Sequence, residues 1–428
     1  MKLRIKNVRA IVPRAGALAV QNCDIVTDSD RIVSLDGTGG EQCDRVIDGS
    51  GKLAIPGLVN AHTHAYMTLF RNSADDLPFH QWLFDRIMPM ENRLQPGDCY
   101  WTSLLGICEM LRSGTTSFLD MFIFPDDTAR AVADSGIRAV LSRGLQGETA
   151  DDAGGMRRIR EAKQDILAYG SGAAEGRITF MLAPHAPYTC APAFLGTVIE
   201  TAAELGIGIH THLAESRGEI ETIREKYGCT PIEMMEKAGL FSRHTAAAHC
   251  AHLTPDDIRI LRDNNVSVLT NPSSNLKLGN GFAPVPELLA AGVNVALGTD
   301  SAASNNMLNM FHEINMLALI HKGTHGDAVT VTSTEAVTAA TVGGAKALDL
   351  PVGELAVGKK ADIVLLDLSC PQMNPPSNLI SALAFSANGS EVDTVIVNGK
   401  VLLDRRRLTT IDEERVIFES NRIFERIS

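Results

Sequence analysis

Between residues 54 and 354 the chain repeats one motif: a short apolar run of strand character, a polar residue of chemical competence at its carboxyl end, and then a helical pattern. Strand-like runs that alternate with helical stretches dictate βαβ units and a parallel sheet. Eight such runs can be read. They are IPGLVNAH ending at His62, TTSFLD at Asp120, RAVLSR at Arg143, ITFMLAPH at His185, IGIHTH at His212, TAAAHC at Cys250, VSVLTNP near Asn271 and NVALGTD at Asp300. Helical stretches such as APAFLGTVIETAAEL and PDDIRILRDN separate several of them, as the crossover rule requires. Eight units predict an α/β fold, a (β/α)8 TIM-type barrel, whose active site lies at the carboxyl ends of the strands. A single polar residue in that position is more often a strand terminator. Recurrence on six strands is not explained that way.

The two ends of the chain read differently. From Leu3 to Gly51 short β-rich segments are broken by Gly and Asp turns, which predicts antiparallel sheet, and the texture returns in ADIVLLDL and VDTVIVNGKVLL. The expected organisation is therefore a β-sandwich half over 1–53, a (β/α)8 barrel over 54–354, and the second sandwich half with a tail over 355–428. A length of 428 residues accommodates both parts. The formal net charge of −12 argues against a nucleic-acid partner, since binding to phosphates needs a surplus of Lys and Arg. No apolar run has the length of a membrane span and the opening segment lacks a signal-like core, so the cytoplasm is the expected compartment. Eight cysteines without a C-x-x-C pair predict neither disulfides nor a Cys-ligated zinc site.

A metal site must then be built from His and carboxylates. His62 and His64 share one face of an extended strand, as two ligands of one ion must. The H-x-H triplet alone is weak. His212 closes the fifth strand, Glu215 follows where the chain can fold back over the rim, and Asp300 closes the eighth strand, which barrel closure sets beside the first. Three imidazoles and a carboxylate satisfy one divalent ion. His210 lies deeper on the face of His212 and is expected to be a packed interior residue. His185 and His249 end the fourth and sixth strands on the same rim, where contacts to substrate or water are expected. With no Lys in APHAP, a carboxylated-lysine bridge between two ions is not expected, and the site should be mononuclear.

The segments PGLVNAHTH, HLAES, AAAHC, NPSSNLKLGNG and LGTDSAASNN, in this order, resemble the amidohydrolase superfamily, over essentially the whole chain. Within it they are most similar to the branch of methylthioadenosine and S-adenosylhomocysteine deaminases, with triazine hydrolases and guanine deaminases as relatives. The resemblance implies His62, His64, His212 and Asp300 as ligands of one ion, zinc first among Zn, Fe, Mn and Ni, and Glu215 as proton shuttle. It further implies His249 against the attacking or leaving group, His185 near the sugar or ring, and Glu91, in FHQWLFDRIMPMENRL, on the ribose hydroxyls. An arginine near the third strand would meet a substrate carboxylate. Arg143 fits that place, and in the following Gly-rich loop Met156, Arg157 and Arg158 leave the register open, with Arg157 taken as the candidate. A small-molecule substrate and a homo-oligomer are implied as well.

The expected reaction is hydrolytic deamination of an adenosine-type nucleoside to its inosine analogue and ammonia. Asp300 would act as ligand and base, and Glu215 would protonate the ring nitrogen beside the carbon under attack. The alternatives are the same catalyst on guanine, a pterin, a cytosine or an s-triazine, a cyclic amidase with two metals, and a barrel without catalysis, which should lack a ligand.

Overall fold

The structure, a computed structural model, describes residues 1–14, 17–36, 42–170 and 172–428. All eight expected barrel strands are present: Leu58–Thr63, Thr115–Phe122, Arg138–Leu145, Ile178–Pro184, Gly208–Leu213, Thr245–His249, Ser267–Thr270 and Val295–Leu297. Each is hydrogen-bonded in parallel to the next, and nearly every residue in them is buried, as a sheet wrapped by helices demands. The first and eighth strands meet through specific bonds. The Asp300 amide donates to the His62 carbonyl at 2.9 Å, while the Asn60 side chain donates to Thr299 Oγ1 at 2.7 Å and accepts the Thr299 amide at 3.0 Å.

The barrel interior is filled by Val59, Ala61, Leu119, Val140, Met181, Ala246, Ala248, Leu269 and Ala296, joined by Leu348 and Val352 from the segment after the helix Gly344–Ala347. Pairing register explains the alanines. Ala246 stands beside His210 and Ala248 beside His212, so two methyl-sized neighbours leave room for two inward imidazoles.

Four strand boundaries differ from the sequence reading. The run IPGLVNAH belongs to two sheets: Lys52–Pro56 pairs in the terminal sheet, and the barrel begins after Gly57, where a Cβ would lie 2.0 Å from Thr116 Oγ1. Asp120 and Arg143 lie inside their strands rather than at the ends, and Asp300 lies three residues beyond Leu297. The terminal sheet is mixed. Lys2–Arg14 runs antiparallel to Ala17–Asp28 but parallel to Arg45–Asp48 and Lys52–Pro56, because the hairpin between them returns the chain to its starting direction. Nine strands from both ends form one sheet, which folds back on itself as a small sandwich: Arg45 reaches Asp404 at 2.7 Å, and Leu3, Ile5, Ile25, Ile363 and Ile396 share one apolar cluster. The tail is a helix, Glu413–Ile427, that packs on the barrel helix Asp98–Arg112. Its Ile423 and Ile427 join Tyr66, Phe70, Trp82 and Ile87 in a cluster of their own. Among the described residues no helix is long and apolar enough to cross a membrane.

Candidate metal centre

Side chains from the first, fifth, sixth and eighth strands converge at the carboxyl rim. The ligand atoms of His62, His64 and Asp300 lie within 4.8 Å of one another, and so do those of His62, His212 and His249. Which nitrogen of each ring faces the centre follows from the outer hydrogen bonds. His64 Nδ1 lies 2.9 Å from the Met121 carbonyl and His212 Nδ1 lies 2.8 Å from the His185 carbonyl. A carbonyl only accepts, so both Nδ1 atoms carry the proton and both Nε2 atoms present a bare lone pair. Those two lone pairs face each other at 3.2 Å, an arrangement that a cation between them makes favourable. His62 Nε2 is buried without any hydrogen-bond partner and lies 3.4 Å from Asp300 Oδ1. Burial holds the pKa of His62 down at about 4 and lowers those of His64 and His212, which keeps all three rings neutral and fit to ligate.

Asp300 is prepared for the opposite charge. Ser274 Oγ and Ser304 Oγ donate to its Oδ2 at 2.6 and 2.9 Å, leaving Oδ1 toward the imidazoles. Burial opposes its ionised form, while the two serine hydroxyls and the His249 ring, whose pKa is raised, support it. Its backbone has a left-handed φ of 57°, as do His249 at 73° and Cys250 at 49°, conformations that side chains seldom adopt and that cluster at working sites. The donor set of neutral imidazoles and one carboxylate therefore fits a divalent ion of the zinc type.

His249 differs from the other three rings. Its Nδ1 donates to Asn275 Oδ1 at 2.8 Å, and its Nε2 lies 3.8 Å from Glu215 Oε2. Burial works against its charged form, but Glu215 and Asp300 together raise its pKa, so this ring favours a proton where the others favour a lone pair. Glu215, also buried, has a raised pKa and accepts from Asn280 Nδ2 at 3.2 Å. Its position is set by Glu219, whose carboxylate accepts the Ala214 and Glu215 amides at 2.8 and 3.1 Å. Sequence reasoning passed over Glu219, although Ser216 and Glu219 have the S-x-x-E spacing of a helix N-terminus.

The remaining candidates lie around this centre. His185 packs edge-on against His212 at 4.8 Å between ring centroids, its pKa held at about 4 by burial. Glu91 is held by the Tyr66 hydroxyl and its pKa is raised by burial, so it is no solvated helix residue. Arg143 is engaged: its guanidinium bonds Glu161 at 2.9 Å. Arg157 has 63% of its side chain exposed and turns toward Glu161 at 3.6 Å. Arg158 is half-buried and close enough to His185 for its charge to depress that ring's pKa. Of the two consecutive arginines, Arg158 is the less exposed.

Gly298 permits the convergence. A Cβ there would stand 2.5 Å from Asn271 Oδ1, 2.8 Å from the His62 amide nitrogen and 2.9 Å from His62 Cβ. Gly298→Ala is expected to displace His62, to cost about 1–3 kcal/mol of stability and to weaken ion binding. Thermal unfolding and metal titration check this, and a variant indistinguishable from the parent in both would refute it.

The chain is similar to known proteins over nearly its whole length. The profile of the amidohydrolase family matches residues 53–402. A 5-methylthioadenosine/S-adenosylhomocysteine deaminase from Caldanaerobacter subterraneus subsp. tengcongensis is 46% identical over 98% of this chain and 97% of its own length. Among solved structures, an adenosine deaminase from Xanthomonas campestris with bound zinc superposes with a TM-score of 0.93 at 32% identity, covering 99% of this chain and 98% of the other. An atrazine chlorohydrolase from Arthrobacter aurescens TC1 complexed with zinc superposes with a TM-score of 0.91 at 25% identity, covering 99% of this chain and 100% of the other.

Proposed function

The chain belongs to the amidohydrolase family, and we propose that it hydrolyses the exocyclic C–N bond of an adenosine-type nucleoside, giving the inosine analogue and ammonia. The observation that carries this reading is the set of bare Nε2 atoms of His62, His64 and His212 gathered with Asp300 Oδ1 beside the Glu215–His249 pair. These four would hold one divalent ion, zinc in the first instance. Bound there, the ion would supply acidity to water, from a pKa of 15.7 toward about 7.

The chain's own groups do the rest. Asp300 Oδ1 accepts the proton that the attacking water gives up. Glu215, buried and disposed to hold a proton, passes one to the ring nitrogen beside the carbon that bears the amine, so that the ring can absorb the charge of attack. His249 Nε2, facing Glu215 across 3.8 Å, donates toward the oxygen or the departing nitrogen. Water and the amine yield a carbonyl and ammonia, and no net proton is consumed.

Glu91 and Arg158 specify the substrate in this reading. A carboxylate held in place by Tyr66 is a fixed acceptor for ribose hydroxyls. Arg158 supplies a cation for an amino-acid carboxylate, which S-adenosylhomocysteine has and methylthioadenosine lacks. An ultraviolet assay on adenosine, methylthioadenosine, S-adenosylhomocysteine, guanine and cytosine tests the assignment. Loss of hydrogen bonds to a charged group is worth about 1.5–3 kcal/mol. Glu91→Ala should therefore lower kcat/KM for the nucleosides by about tenfold to a hundredfold, and Arg158→Met should raise KM for S-adenosylhomocysteine alone. Deamination of guanine or cytosine in place of the nucleosides would reject the assignment.

A further inference from the structure

Two of the three imidazoles that present Nε2 to the centre use backbone carbonyls as outer partners, and the third does not. His62 Nδ1 lies 2.9 Å from Nε2 of another imidazole, His210, which is fully buried. His210 Nδ1 in turn lies 2.9 Å from Ser142 Oγ. Taken singly, either contact leaves the direction of its proton open.

The far end of the chain of bonds settles it. Ser142 Oγ lies 2.7 Å from the Asp120 backbone carbonyl. A carbonyl only accepts, so the single hydroxyl proton of Ser142 is committed there and Ser142 Oγ must accept from His210 Nδ1. With its ring proton directed to Ser142, His210 has a lone pair at Nε2 and accepts from His62 Nδ1. His62 is left with its own lone pair at Nε2, the atom that is buried without a partner beside Asp300. Three bonds running in one direction thus end in an unprotonated nitrogen at the candidate centre.

Resting on the metal-centre reading above, we propose that His210 is a positioning residue: with Ser142 and the Asp120 carbonyl it fixes the tautomer and orientation of His62 and makes that ring a better metal ligand. The same face carries His212 as a candidate ligand, but His210 lies one pleat deeper and addresses the ion only through His62. An imidazole acceptor is more basic than a carbonyl, so it draws the His62 proton more strongly and leaves more electron density at Nε2. The alanine beside His210 gives the ring the space that the arrangement needs.

The test uses the full-length chain, zinc as probe and a chromophoric chelator as competitor, so that affinity is read independently of turnover. Outer partners of ligating histidines are typically worth about 10–100-fold in metal affinity. His210→Leu is expected to weaken zinc binding by that factor, with the metal-free protein unfolding at the parent's temperature or above. His210→Gln keeps an acceptor within reach of His62 Nδ1 and should restore affinity to within about threefold of the parent. Cobalt(II) in place of zinc should give an altered visible spectrum in the Leu variant and a parent-like one in the Gln variant. Should the Leu variant fail to fold, Ser142→Ala serves, since it releases the His210 tautomer and should weaken binding severalfold. A Leu variant that binds like the parent, Leu and Gln variants that lose affinity equally, or an unaffected Ser142→Ala would each overturn the relay while leaving the metal centre standing. A parent chain that takes up no zinc would overturn the metal centre and the relay with it.

Discussion

Glu215→Gln is expected to lower kcat by about two to four orders of magnitude while the protein retains its full complement of metal. The separation of the two readouts follows from where the carboxylate sits. Its oxygens address Asn280 and His249, whereas the atoms that would bind the ion belong to His62, His64, His212 and Asp300. Glutamine keeps the shape and still accepts from Asn280, and Glu219 continues to hold the backbone of the loop. What is lost is the proton. Kinetics and metal analysis on one preparation decide the matter, and a variant that loses ion and turnover together would falsify the shuttle role and make Glu215 a ligand.

Exhaustive chelation should abolish turnover, and one equivalent of divalent ion per chain should restore it. The expectation rests on the 3.2 Å approach of two unprotonated nitrogens, His64 Nε2 and His212 Nε2, which a cation between them would make favourable. The ion is also a ligand of the folded state alone. At a free concentration one hundred times its dissociation constant it should add about 2.7 kcal/mol to stability, so stripped protein should melt earlier and recover on titration. Turnover that survives chelation would defeat the whole chemical reading, and two ions per chain at saturation would redirect it toward cyclic amidases.

The barrel was legible in the sequence because a parallel strand buried on both sides must be apolar nearly throughout, and eight such runs stand between residues 58 and 297. Their ends were not legible. Asp120 and Arg143 look like terminators, but a strand continues as long as its backbone finds partners, whatever its side chains are. The run before His62 reads as one strand because hydrophobicity reports burial and not the sheet in which a residue is buried; the chain crosses between sheets at Gly57. Strand parity sufficed to bring His62, His64 and His212 into view. It could not supply the part of His210, since parity gives a face, and the part played depends on which atom each ring nitrogen meets. The choice between Arg157 and Arg158 likewise turned on helix phase, which a Gly-rich entry such as AGGMRR does not fix.

The helix Glu413–Ile427 sends Ile423 and Ile427 into the cluster that backs Tyr66, the residue that holds Glu91. Trimming Ile423 and Ile427 to alanine would therefore loosen the anchorage of Glu91 from a helix that places no side chain among the clustered ligand atoms.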